Sequence, residues 1–335
     1  MSLPTDESSA QYAPRPGSSE HKTDDALTKW RVSALYTYPV KSCQPAVLQE
    51  SSITETGLAY DRLWVLTDKR LGRFVTQRQV PKLVLVKVTI DEASNVLELS
   101  ADAMATTLRL PLHPQPEKDL GERFKVRIWY EDAYGRCCGE HANSWLSEFT
   151  GKPIRLLYKD ADTQRLVSRY VPSKEVCPTA PQSGFADLFP FHITTDVSLN
   201  DVNKHLTRPL THKTFRPNIV LTTDSPIVPP YDEETWRRIE FIGDNTSNAD
   251  MNWSMFITSR TPRCSMLNVD MDTGTMVPDR EPYVSLLEFR CVDAGQPKFS
   301  CFGMQATPQT VGQNIRVGQE MYVRERGVHL LTEPL

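Results

Sequence analysis

A chain of 335 residues has room for two domains and a substantial core, and a formal net charge of −4 with scattered basic residues leaves no electrostatic footprint for nucleic acid. The seven cysteines, Cys43, Cys137, Cys138, Cys177, Cys264, Cys291 and Cys301, are odd in number, dispersed and without C-x-x-C spacing, which argues against a zinc module and against a disulfide scaffold. A small-molecule site is the class that remains.

Residues 1–29 are rich in Ser, Thr, Pro, Asp and Glu with no sustained apolar pattern, and read as a disordered tail. The tail is neither a signal peptide nor a mitochondrial presequence, because Arg15 stands among Asp6, Glu7, Glu20, Asp24 and Asp25. No apolar run long enough to cross a bilayer follows, so a soluble cytoplasmic protein without a membrane span is expected. From Arg31 onward short β-type runs recur with turn signals between them: 32–36, 46–48, 63–66, 83–88, 96–99, 107–110 and 124–129. Residues 140–151 carry apolar side chains at helical spacing and end in Gly151, which predicts a short amphipathic helix with a glycine C-cap. Residues 160–186 are polar and proline-bearing and read as a long surface loop.

A second β-rich region opens near Phe191. A helix is predicted over 198–206, capped by Asp196 or Ser198, with strands at 218–221 and 238–243 and a stiff proline loop, 225–231, between them. Two apolar runs, 255–257 and 266–269, read as strands flanking Thr261-Pro262-Arg263-Cys264, and Asp272-Thr273-Gly274 as the next turn. A helix around 284–290 and a final strand pair, 314–318 with 320–323, complete a mostly β (α+β) chain with a few short helices.

Four stretches carry candidate chemistry. Cys264 sits beside Arg263, and a neighbouring cation favours the thiolate that ligates a soft metal or acts as a nucleophile; the plain alternative is an inert small hydrophobe. Lys41 and Ser42, in Tyr38-Pro39-Val40-Lys41-Ser42-Cys43, form a pair suited to a phosphate, or else a solvated turn. Asp61 and Arg62 precede a hydrophobic strand, as a site arginine or a surface ion pair. Phe215-Arg216-Pro217-Asn218 is a rigid bend before a buried strand. Adjacent Cys137 and Cys138 on a strand would point to opposite faces and so would not converge on one ion.

Together with Arg136-Cys137-Cys138-Gly139-Glu140 and Asp270-Met271-Asp272-Thr273-Gly274, these motifs in this order resemble the MOSC superfamily with its N-terminal β-barrel domain, the amidoxime-reducing branch above all. The resemblance covers roughly residues 32–324. It implies a β-barrel-like N-terminal domain over 30–160, a linking loop over 161–190, a MOSC β-barrel domain over 191–326, and a molybdenum-pterin (molybdopterin) cofactor in the cleft between the two. It also implies Cys264 as the catalytic cysteine and metal ligand, and Lys41, Ser42, Arg62, Arg216, Asn218 and Arg263 as cofactor-binding residues. Pro262 and Leu188-Phe189 depart from the family pattern, the latter beside Asp187, and mark an altered pocket. The activity implied is reduction of N-hydroxylated or N-oxidised small molecules. Nothing resembles a dinucleotide fingerprint, which implies a separate flavin reductase and a small haem or iron-sulfur carrier, and the resemblance suggests a b-type cytochrome with its NADH-dependent flavin reductase. The alternative is a carrier of molybdenum cofactor or persulfide sulfur, related to the C-terminal domain of molybdenum cofactor sulfurases; this chain has no room for their pyridoxal-phosphate domain.

Overall fold

The computed structural model describes residues 28–331 apart from residue 245. The tail expected over residues 1–29 lies outside the described residues except for its last two, and Lys29 already pairs with Tyr322 in a strand.

Seven strands close a barrel in the order Ile219–Thr222, Phe191–Thr195, Cys301–Pro308, Trp253–Pro262, Trp236–Phe241, Glu320–Arg326 and Lys29–Thr37, the last pairing back onto the first. The strand expected to open the N-terminal half is therefore a stave of the C-terminal barrel. Its apolar residues explain why: Trp30 and Val32 and, past a register shift between Val32 and Ala34, Leu35 point inward to join Ile193, Ile219, Ile239 and Met255, and Trp30 meets Trp236 edge-on with ring centroids 5.0 Å apart. All neighbours in the barrel are antiparallel except Phe191–Thr195 and Ile219–Thr222. That parallel pair needs a crossover, supplied by the helix Asp196–Lys204. The helix is capped by Thr195, whose side chain accepts from the Ser198 N–H, rather than by Asp196 or Ser198.

The N-terminal half packs two antiparallel sheets around another core. One runs Trp64–Asp68, Ile154–Lys159, Glu131–Cys137, Arg123–Ile128; the other is the meander Lys87–Asp91, Val96–Ser100, Leu108–Pro111. The helix Glu140–Thr150 buries Ala142, Trp145, Leu146 and Phe149, at one-face spacing, against Leu97, Leu99 and Leu108, and ends at left-handed Gly151 as its sequence predicts. Cys137 and Cys138 pack into different cores, as the strand period requires. No named helix or strand falls between residues 160 and 190.

Three expectations are corrected. Of the strand expected over 83–88, residues 83–85 belong to the 3-10 turn Pro81–Leu85, begun by a proline that has no N–H to give a ladder, Val86 is its C-cap, and only 87–88 enter a strand. The run 266–269 is likewise a 3-10 turn, Ser265–Asn268, since a short contiguous apolar run does not by itself distinguish strand from helix. The two last strands do not pair together: Asn314–Arg316 pairs with Glu50–Thr54, and Glu320–Arg326 enters the barrel.

Candidate functional site

One cavity, about 140 Å3, collects all seven sequence-predicted site residues: Lys41, Ser42, Arg62, Arg216, Asn218, Arg263 and Cys264. Three of the seven, Ser42 (φ 76°), Arg62 (φ 48°) and Arg216 (φ 58°), are non-glycine residues in the left-handed region, each costing roughly 1–3 kcal/mol of backbone strain. Such conformations persist only where the surroundings over-determine them, and here they do.

The Arg62 N–H donates to the Tyr38 carbonyl (2.9 Å), the Trp64 N–H to Pro39 (3.0 Å) and the Lys41 N–H to Trp64 (2.9 Å), which binds the Lys41-Ser42 turn to the Asp61-Arg62 turn. Asp61, fully buried, accepts from the Tyr38 N–H (2.9 Å) and the Asn218 amide (3.0 Å), and both its oxygens take Nη1 of Arg62 at 2.7 Å. The Arg62 carbonyl accepts from the Phe185 N–H (2.8 Å). Gly184 makes that approach possible, because a Cβ there would lie 2.8 Å from the Arg62 oxygen.

Asn218 has both ends of its amide engaged by protein: its oxygen accepts from the His192 N–H (3.2 Å) and Arg62 (3.3 Å), and its nitrogen donates to Tyr36 and Asp61. It is the knot that fixes Arg62 against the barrel. Lys41 donates to the Phe185 carbonyl (2.8 Å) and to Asp187 (2.6 Å). Burial brings its ammonium down to about 8 against the pull of Asp187, while the Lys41 charge and the hydrogen bonds from Lys41 and Trp129 hold the Asp187 carboxyl well below the usual range.

The remaining two arginines differ. Arg216 caps the short helix His212–Phe215 and lies 4.2 Å from the Tyr38 ring centroid, the same separation as Arg62. Neither of its terminal nitrogens has a partner among the described residues, although both are buried. Arg263 donates Nη2 to the Phe215 carbonyl (3.0 Å) and leaves Nε unpaired. Desolvation brings both guanidinium groups down to about 10. Buried cations with free donors are costly to leave alone and specify an anion as their partner.

Cys264, half-buried, follows the strand Trp253–Pro262 and begins the Ser265–Asn268 turn. Among the described residues no group of three or more His, Cys, Asp or Glu side chains could hold a metal. A metal at Cys264 would therefore have to arrive with most of its ligands on a carrier group, and a pterin dithiolene with an anionic tail meets that condition beside this thiol and the unpaired donors of these two guanidinium groups. The residues present fit such a group.

His192, Trp129, Arg78 and Gln305 line the same cavity and were missed by sequence reasoning. His192 is buried with Nε2 unpartnered, and burial and the Arg263 charge push it well below 6.5. Gly303 (φ 74°) makes room for it, since a Cβ would lie 2.5 Å from Nε2. No motif separates a histidine inside an apolar strand from a core histidine. The departing residues lie here too: Leu188, Phe189 and Pro262 line the wall, with Phe189 fully buried.

Two family models match the chain, the MOSC N-terminal beta barrel domain over residues 29–153 and the MOSC domain over residues 181–322. Mitochondrial amidoxime-reducing component 1 of Mus musculus is 33% identical over 302 residues, covering 87% of this chain and 82% of its own. The Homo sapiens protein of the same name is 30% identical over 301 residues with the same coverage. A molybdenum cofactor sulfurase of Oryza sativa subsp. japonica is 26% identical over 327 residues, 90% of this chain but 36% of that one.

Proposed function

The chain belongs to the MOSC family, and on that footing we propose that it is a molybdenum-cofactor-dependent reductase of N-hydroxylated or N-oxidised small molecules. The observation that carries this reading is one cavity holding a half-buried thiol, Cys264, beside two buried guanidinium groups, Arg216 and Arg263, each with N–H donors that have no partner among the described residues.

In this reading Cys264 is the thiolate ligand of molybdenum, a soft donor for a metal held otherwise by pterin sulfur. Arg216 and Arg263 take the anionic tail, with Lys41 and Ser42 on the adjoining turn. Arg62, already paired with Asp61, and Asn218 act chiefly by holding that turn and Arg216 in place. The bound cofactor supplies two-electron oxygen-atom transfer. Removing the hydroxyl oxygen of an amidoxime consumes two electrons and two protons and releases water, and the electrons come from a b-type cytochrome with an NADH-dependent flavin reductase. No helix of the described residues is long and apolar enough to cross a membrane.

The test supplies a chemical reductant, or the cytochrome and reductase, to cofactor-loaded protein with a panel of amidoximes and N-hydroxylated bases. Conversion is expected with either donor and not with NADH alone. Absence of any turnover, together with a cyanide-releasable sulfur that disappears in Cys264→Ala, would replace this reading with the sulfur carrier.

A further inference from the structure

The cations of this cavity fall into three kinds. Lys41 is paired with Asp187 and Arg62 with Asp61. Arg216 and Arg263 have free donors and, in the proposed function, a dianionic cofactor tail to satisfy them. Arg78 belongs to neither kind: no hydrogen bond or ion pair engages its guanidinium among the described residues, and its buried Nε has no partner.

Arg78 is nevertheless held in place. It lies over the Trp129 ring, 4.6 Å from the centroid. The indole is itself fixed, with Nε1–H donating to Asp187 (2.8 Å), Phe74 meeting it edge-on at 5.4 Å, and its backbone in the left-handed region at φ 55°. The turn carrying Arg78 is closed by the Thr76 N–H and hydroxyl donating to Gln79 (2.9 and 2.5 Å), and Gln77 Nε2 reaches the Met266 carbonyl (3.5 Å), two residues past Cys264. A preorganised cation, tied to the thiol-bearing segment and without a direct ion pair, its neighbouring carboxylate Asp187 being already engaged by Lys41 and the Trp129 indole, fits a ligand anion. One guanidinium fork balances a monoanion, whereas a phosphate dianion is matched by the Arg216–Arg263 pair.

We propose that Arg78 is the specificity-determining cation of the substrate end of the cavity, and that the physiological substrate is an N-oxygenated compound bearing a carboxylate. The inference rests on the reductase reading for the N-oxygenated group and on Arg78 alone for the carboxylate.

Trp129 also provides the assay. It is 38% exposed, while Trp30, Trp64, Trp145, Trp236 and Trp253 are at most 4% exposed, so ligand-induced quenching of tryptophan emission reports on this rim. The probes are a benzamidoxime with a para-carboxylate and its para-carboxamide, titrated into the purified protein. Wild-type protein is expected to favour the carboxylate roughly ten- to hundredfold, the size of one charge-assisted contact. In Arg78→Met the preference should collapse to within about twofold, and Arg78→Lys should keep part of it. The KM ratio for the two compounds should follow the binding ratio, while molybdenum content stays at the wild-type level. Equal affinity of wild-type protein for the two probes overturns the proposal, and needs no variant to fold. Loss of molybdenum from Arg78→Met also overturns it, by placing Arg78 on the cofactor. A carboxylate preference seen by fluorescence in protein that reduces neither compound sinks the reductase reading and leaves the role of Arg78 standing.

Discussion

Replacing Arg216 by Met should move stability and anion binding in opposite directions. The guanidinium is buried, its two terminal nitrogens have no partner, and burial already brings it down to about 10. Each unsatisfied buried donor costs about 1–3 kcal/mol, and removing a buried charge in favour of an apolar side chain of similar volume commonly stabilises a protein by about 1–4 kcal/mol. Against this stands the loss of the contact with the Tyr38 ring, about 0.5–2 kcal/mol. The strained φ of 58° is common to both side chains and cancels. The net expectation is a gain of about 1–2 kcal/mol, or roughly 2–3 °C in Tm for a chain of this size. The assay is thermal unfolding of cofactor-free protein across a series of inorganic phosphate concentrations. Phosphate at a hundred times its Kd should stabilise wild-type protein by about 2.7 kcal/mol, and the variant should need roughly ten- to hundredfold more for the same effect. A variant that is less stable than wild type and equally protected by phosphate would refute the reasoning, because Arg216 would then be an ordinary structural cation.

Asp61→Ala leaves Arg62 buried without its partner and opens the Tyr38 and Asn218 contacts, so denaturant unfolding should show a loss of about 3–5 kcal/mol, with Asp61→Asn losing less. Gly303→Ala combines a left-handed backbone with a Cβ 2.5 Å from His192 Nε2 and should cost at least about 2 kcal/mol by the same measurement. Glu233, buried against Thr195 and Ser198, is raised from 4.5 to about 7, so the stability it contributes is fully present below pH 4.5 and lost as pH rises to 7. His329, lowered by burial from 6.5 to about 4, acts oppositely: its contribution is present above pH 6.5 and lost as pH falls towards 4. Urea titrations from pH 4.5 to 6.5 should therefore show an acid-side loss that is steeper in Glu233→Gln than in wild type, by at most about 1.4 kcal/mol per pH unit.

The barrel was legible wherever a strand alternates between core and solvent, as in Ile239-Glu240-Phe241 with Ile239 and Phe241 buried, or in the Leu35-Tyr36-Thr37 end of the first strand, but its closure was not. Nothing in residues 29–37 announces a partner at Ile219–Thr222, because pairing across nearly two hundred residues leaves no local pattern. The strand Glu131–Cys137 was missed since its inward positions are Ala133 and Gly135, too small to register as apolar; Gly135 is required there because a Cβ would meet Leu157 at 2.9 Å. In the site, Lys41, Ser42, Arg62, Arg216, Asn218, Arg263 and Cys264 line one cavity, whereas the motifs at 136–140 and 270–274 do not reach it. The left-handed backbones of Ser42, Arg62 and Arg216 were invisible, since these side chains carry no glycine signature. Arg78, Trp129 and His192 join the cavity through tertiary contact alone.

The central claim is that Cys264 ligates molybdenum, and X-ray absorption at the molybdenum edge, read together with the metal-to-protein ratio, tests it most directly. Wild-type protein should hold molybdenum with one thiolate sulfur beyond the pterin pair, and Cys264→Ser should lose that sulfur and its turnover, oxygen being the harder donor. An unchanged sulfur shell and unchanged turnover in Cys264→Ser would contradict the account.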